Sequence, residues 1–271
     1  MASKTTTIFP GMNFGFRYQL DEHPDNKEFQ LHNHPDIYEI VLFMNGDCEF
    51  CVEGNTYKLK PFDIVMTRPF EMHHIVCLTD QPYERMIVFV NEAYFTAKGC
   101  GQFLDIFQNR RLGTGNLIPA ETVKTNILDC LNRMNHYVEQ KAWIVADSTV
   151  IEFLYLLNNA QNAGDGFYTK DKRIRDIIMY INSHLTERLA LEDLSQRFYI
   201  DKFYLCKTFK KNTGYTINQY INYKRILLVQ ELHKKGQSLL QASSNAGFND
   251  YSHFYKMYLK QTGKSPKQMD Q

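Results

Sequence analysis

Four side chains in the front half of this 271-residue chain have types and spacing suited to chemistry. "HNHPDIYEIVLFMNG" sets His32, His34, Glu39 and Gly46 at the spacing H-x-H-x4-E-x6-G, and "PFDIVMTRPFEMHH" adds His73 after a second pair of strands. His32 and His34, two apart on a strand, point to one face. Two or three imidazoles with one carboxylate suit a divalent transition metal such as Zn, Mn, Fe or Ni. The same groups also serve as the polar lining of a pocket, alongside Phe16, Arg17, Tyr38 and Phe50. Aromatic faces with a few placed polar groups suit a sugar or another small polar metabolite.

A second chemical signal lies near the C-terminus, where "IDKFYLCKTFKKNTGYTI" (200–217) returns 49 positions later as "NDYSHFYKMYLKQTGKSP" (249–266). Asp201/Asp250, Lys207/Lys256, Lys211/Lys260, Thr213/Thr262 and Gly214/Gly263 are identical. Each copy opens on an Asp suited to cap a helix and closes on a Gly suited to end one. In the first, Leu205, Thr208, Phe209 and Asn212 share one helical face, and Phe203, Cys206, Lys207 and Lys210 share the other. In the second, Phe254, Met257, Tyr258 and Gln261 oppose Ser252, Tyr255, Lys256 and Leu259. Short amphipathic segments, "LEDLSQRF" (191–198) and "SLLQASSNAGF" (238–248), precede them. A helix pair joined by a tight turn, its second member facing outward, is a helix-turn-helix unit whose second helix enters the DNA major groove. The segment 216–236, apolar on more than one face, reads as a helix gripped by two small cores.

The elements that must hold these groups differ between the halves. From Phe14 to Asn91, "YEIVLFM", "CEFCVEG", "TYKLK", "DIVMT", "HHIVCL" and "RMIVFV" are short, rich in branched and aromatic residues and separated by turns. Strands so spaced, without intervening helices, predict an antiparallel barrel or sandwich. Helical periodicity takes over near 92–109, 120–140 and 143–162, and "NAGDG" (162–166) reads as a linker between domains at 1–163 and 164–271.

Charge follows the same division: residues 1–165 carry 13 basic against 21 acidic groups (−8), and residues 166–271 carry 18 against 9 (+9). A basic rear domain implies a polyanionic partner. No apolar run approaches the ~18 residues of a membrane helix, so the expected location is cytoplasmic, without membrane contact. The six cysteines are read as free thiols, and Cys48 and Cys51, an odd number apart on a strand, point to opposite faces.

Residues 170–268, through "LEDLSQRFYIDKFYLCKTFKKNTGYTINQYI", "KRILLVQELH" and "AGFNDYSHFYKMYLKQTGKSP", resemble the paired helix-turn-helix domain of AraC/XylS-type transcriptional regulators. Residues 28–78 resemble the two motifs of a cupin barrel, with Phe62 where that motif has Gly and His73–His74 leaving the last ligand open.

The resemblance implies an α+β multidomain chain: an N-terminal cupin-like antiparallel β-barrel with dimerisation helices, then an all-α double helix-turn-helix domain. It implies a ligand-responsive, sequence-specific regulator, an activator sensing a sugar or other small metabolite, binding double-stranded DNA as a homodimer with RNA polymerase as a further partner. Phe203, Cys206 and Lys207, then Ser252, Tyr255 and Lys256, would face the groove, and Lys210, Lys211 and Lys260 would hold phosphates. Phe203 and Cys206 form few hydrogen bonds, which favours readout of thymine methyls and shape in the first head. The two serines of "QASSN" imply looser packing in the second. His32, His34, Glu39 and His73 fall at cupin metal-ligand positions, whereas regulators of this type bind effectors without a cofactor. The competing reading is a metal-dependent cupin enzyme with a helical appendage. No second acid–base pair and no phosphate loop accompanies it, so the chain is read as a non-enzyme.

Overall fold

A computed structural model describes residues 7–8, 13–24, 32–34, 36–69, 71–110, 112–123, 125–160, 172–213, 215–262 and 265–269. The chain forms two compact units, Met1–Lys170 and Asp171–Gln271. The expected boundary at 163/164 and the linker at 162–166 lie outside the described residues.

The first unit contains strands β1 (Thr7–Ile8), β2 (Phe14–Asp21), β3 (Ile37–Asn45), β4 (Cys48–Val52), β5 (Asn55–Lys58), β6 (Ile64–Thr67), β7 (His73–Cys77), β8 (Tyr83–Asn91) and β9 (Leu117–Ile118). They build a six-stranded sheet, β1-β2-β8-β3-β6-β9, and a three-stranded sheet, β5-β4-β7, with every pairing antiparallel. All six strand segments anticipated from composition are present. Gly46 turns the chain between β3 and β4 at φ 131°, a backbone state open to glycine and strained for other residues.

Strand alternation gives the large sheet two buried faces. Phe14, Phe16, Tyr38, Ile40, Leu42, Met66, Met86 and Val88 pack with side chains of the helices that follow, and Val41, Phe43, Val65, Ile87 and Phe89 pack with Phe50, Val52, Tyr57 and Ile75 of the small sheet. The second face is the barrel interior.

Helices α1 (Glu92–Ala97), α2 (Asp105–Gln108), α3 (Thr125–Glu139) and α4 (Trp143–Asn158) cover the first face, α3 and α4 packing as an antiparallel hairpin. Asn91 caps α1 by accepting from the Tyr94 amide at 3.0 Å.

The second unit holds α5 (Lys172–Ser183), α6 (Leu191–Arg197), α7 (Lys202–Thr213), α8 (Ile217–Lys234), α9 (Leu239–Asn245) and α10 (Tyr251–Thr262). Helix α8 opens on a capping box of Thr216 and Gln219. It packs against α7, with Tyr220 edge-on to Phe209 at 5.6 Å between centroids, and against α9 and α10, where Ile226 and Val229 join Ala242, Ala246, Phe248, Phe254 and Tyr258. The expected strut between two small cores is thus formed. The second core accommodates the serines: Ser243 is buried with its hydroxyl donated to the Leu240 carbonyl at 2.9 Å, and Ser244 faces outward.

Candidate functional site

The cysteines of "DCEFC" do diverge. Cys48 is buried with its Sγ 3.4 Å from that of Cys77, directly across on β7, and the half-exposed Cys51 lies by Thr56.

His32, His34, Glu39 and His73 do converge: their donor atoms all lie within 4.8 Å of one another. The two N-terminal histidines reach this place through a single β-bridge rather than a full strand, His32 and His73 exchanging both backbone hydrogen bonds (3.0 and 2.8 Å). Glu39 enters from β3, and its Oε2 lies 2.8 Å from His73 Nε2 and 3.4 Å from His34 Nε2.

His73 Nδ1 donates to the Glu71 carbonyl at 2.8 Å, which fixes the ring and aims Nε2 at the cluster, and the Phe50 ring stacks on it at 5.9 Å. The choice between His73 and His74 therefore falls to His73. Burial pushes the Glu39 carboxyl up, but the imidazoles of His34 and His73 outweigh it and hold it well below the usual carboxylate range. For His73 burial acts downward, Glu39 outweighs it, and the ring is raised.

These donors fit a divalent ion. Three imidazoles and a carboxylate with all four donor atoms within 4.8 Å of one another are a transition-metal set.

The segment carrying His73 is anchored by Glu71. Arg110 donates to both its carboxylate oxygens (2.7 and 2.6 Å), the Gly113 amide to Oε1 (2.9 Å), and the Asn116 side chain and Arg68 amide to Oε2 (both 3.1 Å). Glu71 is fully buried. Burial pushes its carboxyl up, and the Arg110 charge and hydrogen bonds more than reverse this, leaving it below its ordinary value.

Beside the cluster opens a cavity of about 480 Å³ inside the barrel, lined among others by Arg17, Gln19, His34, Glu39, Phe50, Arg85 and Phe89. Of the six residues expected to line a pocket, Arg17, His34, Glu39 and Phe50 do so. Phe16 and Tyr38 do not. Each is next in sequence to a lining residue, so the pleat turns it to the opposite face, where it packs with the helices. Gln19, Asp21 and Arg85 were missed, although the i+2 rule from Arg17 along β2 would have found the first two.

Phe62 adopts φ 73°, the left-handed conformation that its position in the turn requires and that glycine supplies more readily.

In the second unit, Asp201 caps α7 by accepting from the Phe203 and Tyr204 amides (2.9 and 3.0 Å), and Asp250 caps α10 by accepting from His253 (2.7 Å). The helix-ending Gly214 and Gly263 lie outside the described residues. Leu205 and Phe209 are buried, whereas Phe203, Cys206, Lys207, Lys210 and Lys211 are exposed. On α10, Phe254 and Tyr258 are buried, Ser252, Lys256 and Lys260 are exposed, and Tyr255 is half-buried. Gln261, expected on the inner face, is exposed, at the end of the helix beyond its core contacts.

The 49-residue repeat governs the capped helices but not the turns before them. Ile200 donates to Ser195 O (3.0 Å) as Phe248 does to Ser243 O (3.1 Å), an offset of 48, and Asn249 is the extra residue in the second unit.

Two capped helices, each following a shorter helix across a tight turn and each presenting an exposed basic face, define a DNA-binding protein of helix-turn-helix class. Comparison with known proteins agrees: residues 194–271 match a helix-turn-helix domain model and residues 20–89 a cupin domain model. The uncharacterized HTH-type transcriptional regulator YdiP of Escherichia coli (strain K12) is 24% identical over 233 residues, covering 84% of this chain and 76% of that one. The HTH-type transcriptional activator RhaS of Enterobacter sp. (strain 638) is 21% identical over 244 residues, covering 87% and 86%. Among solved structures, ToxT from Vibrio cholerae matches with a TM-score of 0.38 at 14% identity, covering 94% of this chain and 96% of that one. The chain is a DNA-binding transcriptional regulator, a cupin domain followed by a helix-turn-helix domain, and is similar to regulators of the AraC/XylS type. No helix among the described residues is long and apolar enough to cross a membrane.

Proposed function

We propose that this regulator is ligand-responsive: a small metabolite, a sugar or a compound of similar size and polarity, enters the barrel of the first unit and alters how the second unit engages its operator. The observation that carries this reading is the polar-and-aromatic cavity of about 480 Å³ beside the histidine cluster. A ligand changes DNA affinity only by binding one state of the protein better than another, and couplings of this kind are typically ~1–3 kcal/mol, or about 5- to 150-fold.

When a divalent ion is present, His32, His34, Glu39 and His73 would hold it, and it would supply a Lewis-acidic anchor for a ligand oxygen. The cavity then serves recognition rather than turnover. Regulators among the relatives support a non-catalytic role.

The protein works as a homodimer in the cytoplasm, where it activates transcription through contact with RNA polymerase. Support for pairing comes from α4, whose outer stripe of Ile144, Ser148, Ile151 and Tyr155 leaves Ile144 81% and Tyr155 56% exposed beside a fully packed inner face.

The test is DNA affinity measured by fluorescence anisotropy on a site selected from random duplexes, with and without compounds that raise the melting temperature. A change of fivefold or more supports the reading. Compounds that bind without any change in DNA affinity contradict it.

A further inference from the structure

We propose that the two reading helices use different chemistry, and that α7 recognises thymine by its C5-methyl group through Phe203 and Cys206. This deepens the DNA-binding assignment and rests on α7 being a reading helix.

The buried positions of α7 fix what faces outward. Leu205 and Phe209 point into the core, so Phe203, Cys206, Lys207 and Lys210, at i, i+3, i+4 and i+7, share the opposite face, and all four are exposed. Phe203 lies in the first turn of the helix, and the N-terminal residues of a reading helix are those that meet base edges in the major groove. Its ring is 77% exposed, and the exposed Lys207, Lys210 and Lys211 on the same helix make a polyanion the partner that covers it.

The polar side chains around Phe203 are engaged within the protein. Asp201 accepts from the Phe203 and Tyr204 amides (2.9 and 3.0 Å), and Lys202 pairs with Glu192 of α6. The Tyr204 hydroxyl accepts from Arg173 at 3.3 Å, and that guanidinium lies over the Tyr204 ring at 5.5 Å. What remains for a base is the Phe203 ring and, one turn on, the exposed Cys206 thiol, a weak hydrogen-bonding group. In the major groove, thymine is the base that offers a methyl to such a surface. Bringing ring and methyl together removes apolar area of both from water. Cytosine presents an amino donor, which against an apolar ring loses its water and finds no acceptor.

The repeat supplies an internal comparison. Where α7 has Phe203 and Cys206, α10 has Ser252 and Tyr255, both bearing hydroxyls, while Lys207 recurs as Lys256. Ser252 is exposed and Tyr255 half-buried. The same reading positions are therefore apolar in one head and hydrogen-bonding in the other. One chain's site then joins a half read through thymine methyls to a half read through donors and acceptors.

The experiment uses the full chain and a duplex selected by it, with each thymine replaced in turn by deoxyuridine, which removes the methyl and keeps the base pairing. Affinities are taken by fluorescence anisotropy at constant salt. At one or more positions the replacement should weaken the wild type about three- to fivefold, the transfer value of one buried methyl group. Phe203→Ser, confirmed folded by its melting curve, should bind the thymine duplex more weakly, and the same replacements should then have no further effect. Phe203→Leu should keep the sensitivity to uracil, and so should Ser252→Ala.

The proposal is overturned if no replacement changes affinity or if Phe203→Ser is without effect. It is also overturned if Phe203→Ser weakens thymine and uracil duplexes alike, which would set the ring against the backbone or the base stack. Lys207→Ala separates this proposal from the reading beneath it. If that change weakens binding while uracil replacements do nothing, α7 still reads DNA, though not through methyl groups. If it too is without effect, the reading role of α7 and this proposal fall together.

Discussion

Tyr199 and Gly247 occupy the same place in the two helix-turn-helix turns, with φ of 51° and 91°. The turn geometry demands the left-handed state in both, and only the second unit meets it with glycine. Tyr199 is 97% exposed, so its ring gains nothing from packing. A side chain in this region costs roughly 1–2 kcal/mol and glycine's extra entropy about 0.5–1, so Tyr199→Gly should stabilise the chain by about 0.5 kcal/mol. At Gly247 a Cβ would meet the Thr186 backbone at 2.9 Å, so Gly247→Ala should destabilise by at least ~2 kcal/mol. Urea melts of the two variants give the opposite signs directly.

The Glu71–Arg110 pair predicts a loss confined to conditions where the carboxyl is ionised. Removing one partner of a buried pair typically costs ~3–5 kcal/mol, and Glu71→Gln should fall in that range at pH 7. The Glu71 pKa is depressed in the folded chain, so its stabilising contribution is present above the unfolded value and is lost as pH falls through the folded one. The gap between wild type and variant should therefore narrow below about pH 4. Equilibrium unfolding across pH measures it, and a pH-independent gap would contradict the ion-pair account.

For the histidine cluster, the expected outcome is metal-dependent stabilisation. An ion at 100 times its dissociation constant adds ~2.7 kcal/mol to a state that alone binds it. Titration with Zn²⁺, Mn²⁺ or Ni²⁺ should raise the wild-type melting temperature, EDTA should reverse the rise, and His32→Ala and His73→Ala should each abolish it.

Much of this architecture is legible along the chain because side-chain period reports element type: two along β3 and β8, 3.6 along α7 and α10. The metal-type cluster is legible too, since residues such as His32, His34 and Glu39 are close in sequence. Facing is harder. Phe16 and Tyr38 are assignable to the pocket by type, yet strand parity sends them to the helix side, and the same parity brings Gln19 in. Arg110 meets Glu71 across 39 residues through a loop, a pairing that no local pattern encodes. The one-residue difference between the turns is masked by the identity of the helices that follow.

The exposed stripe of α4 should govern association. Ile144→Glu combined with Tyr155→Glu places two charges on it without touching the buried Val150, Phe153 or Leu154. Sedimentation should show the double variant as a monomer with an unchanged melting curve at low concentration. A wild-type monomer at micromolar concentration would contradict the role given to this face.

The central claim is that α7 and α10 act together as the DNA-reading helices, and the most direct measurement is the affinity of Lys207→Ala, Lys256→Ala and their combination for a selected duplex. Each single change should weaken binding roughly tenfold, the pair by about the product, and wild-type affinity should fall steeply between 50 and 200 mM salt. Binding that is indifferent to both substitutions would contradict the account.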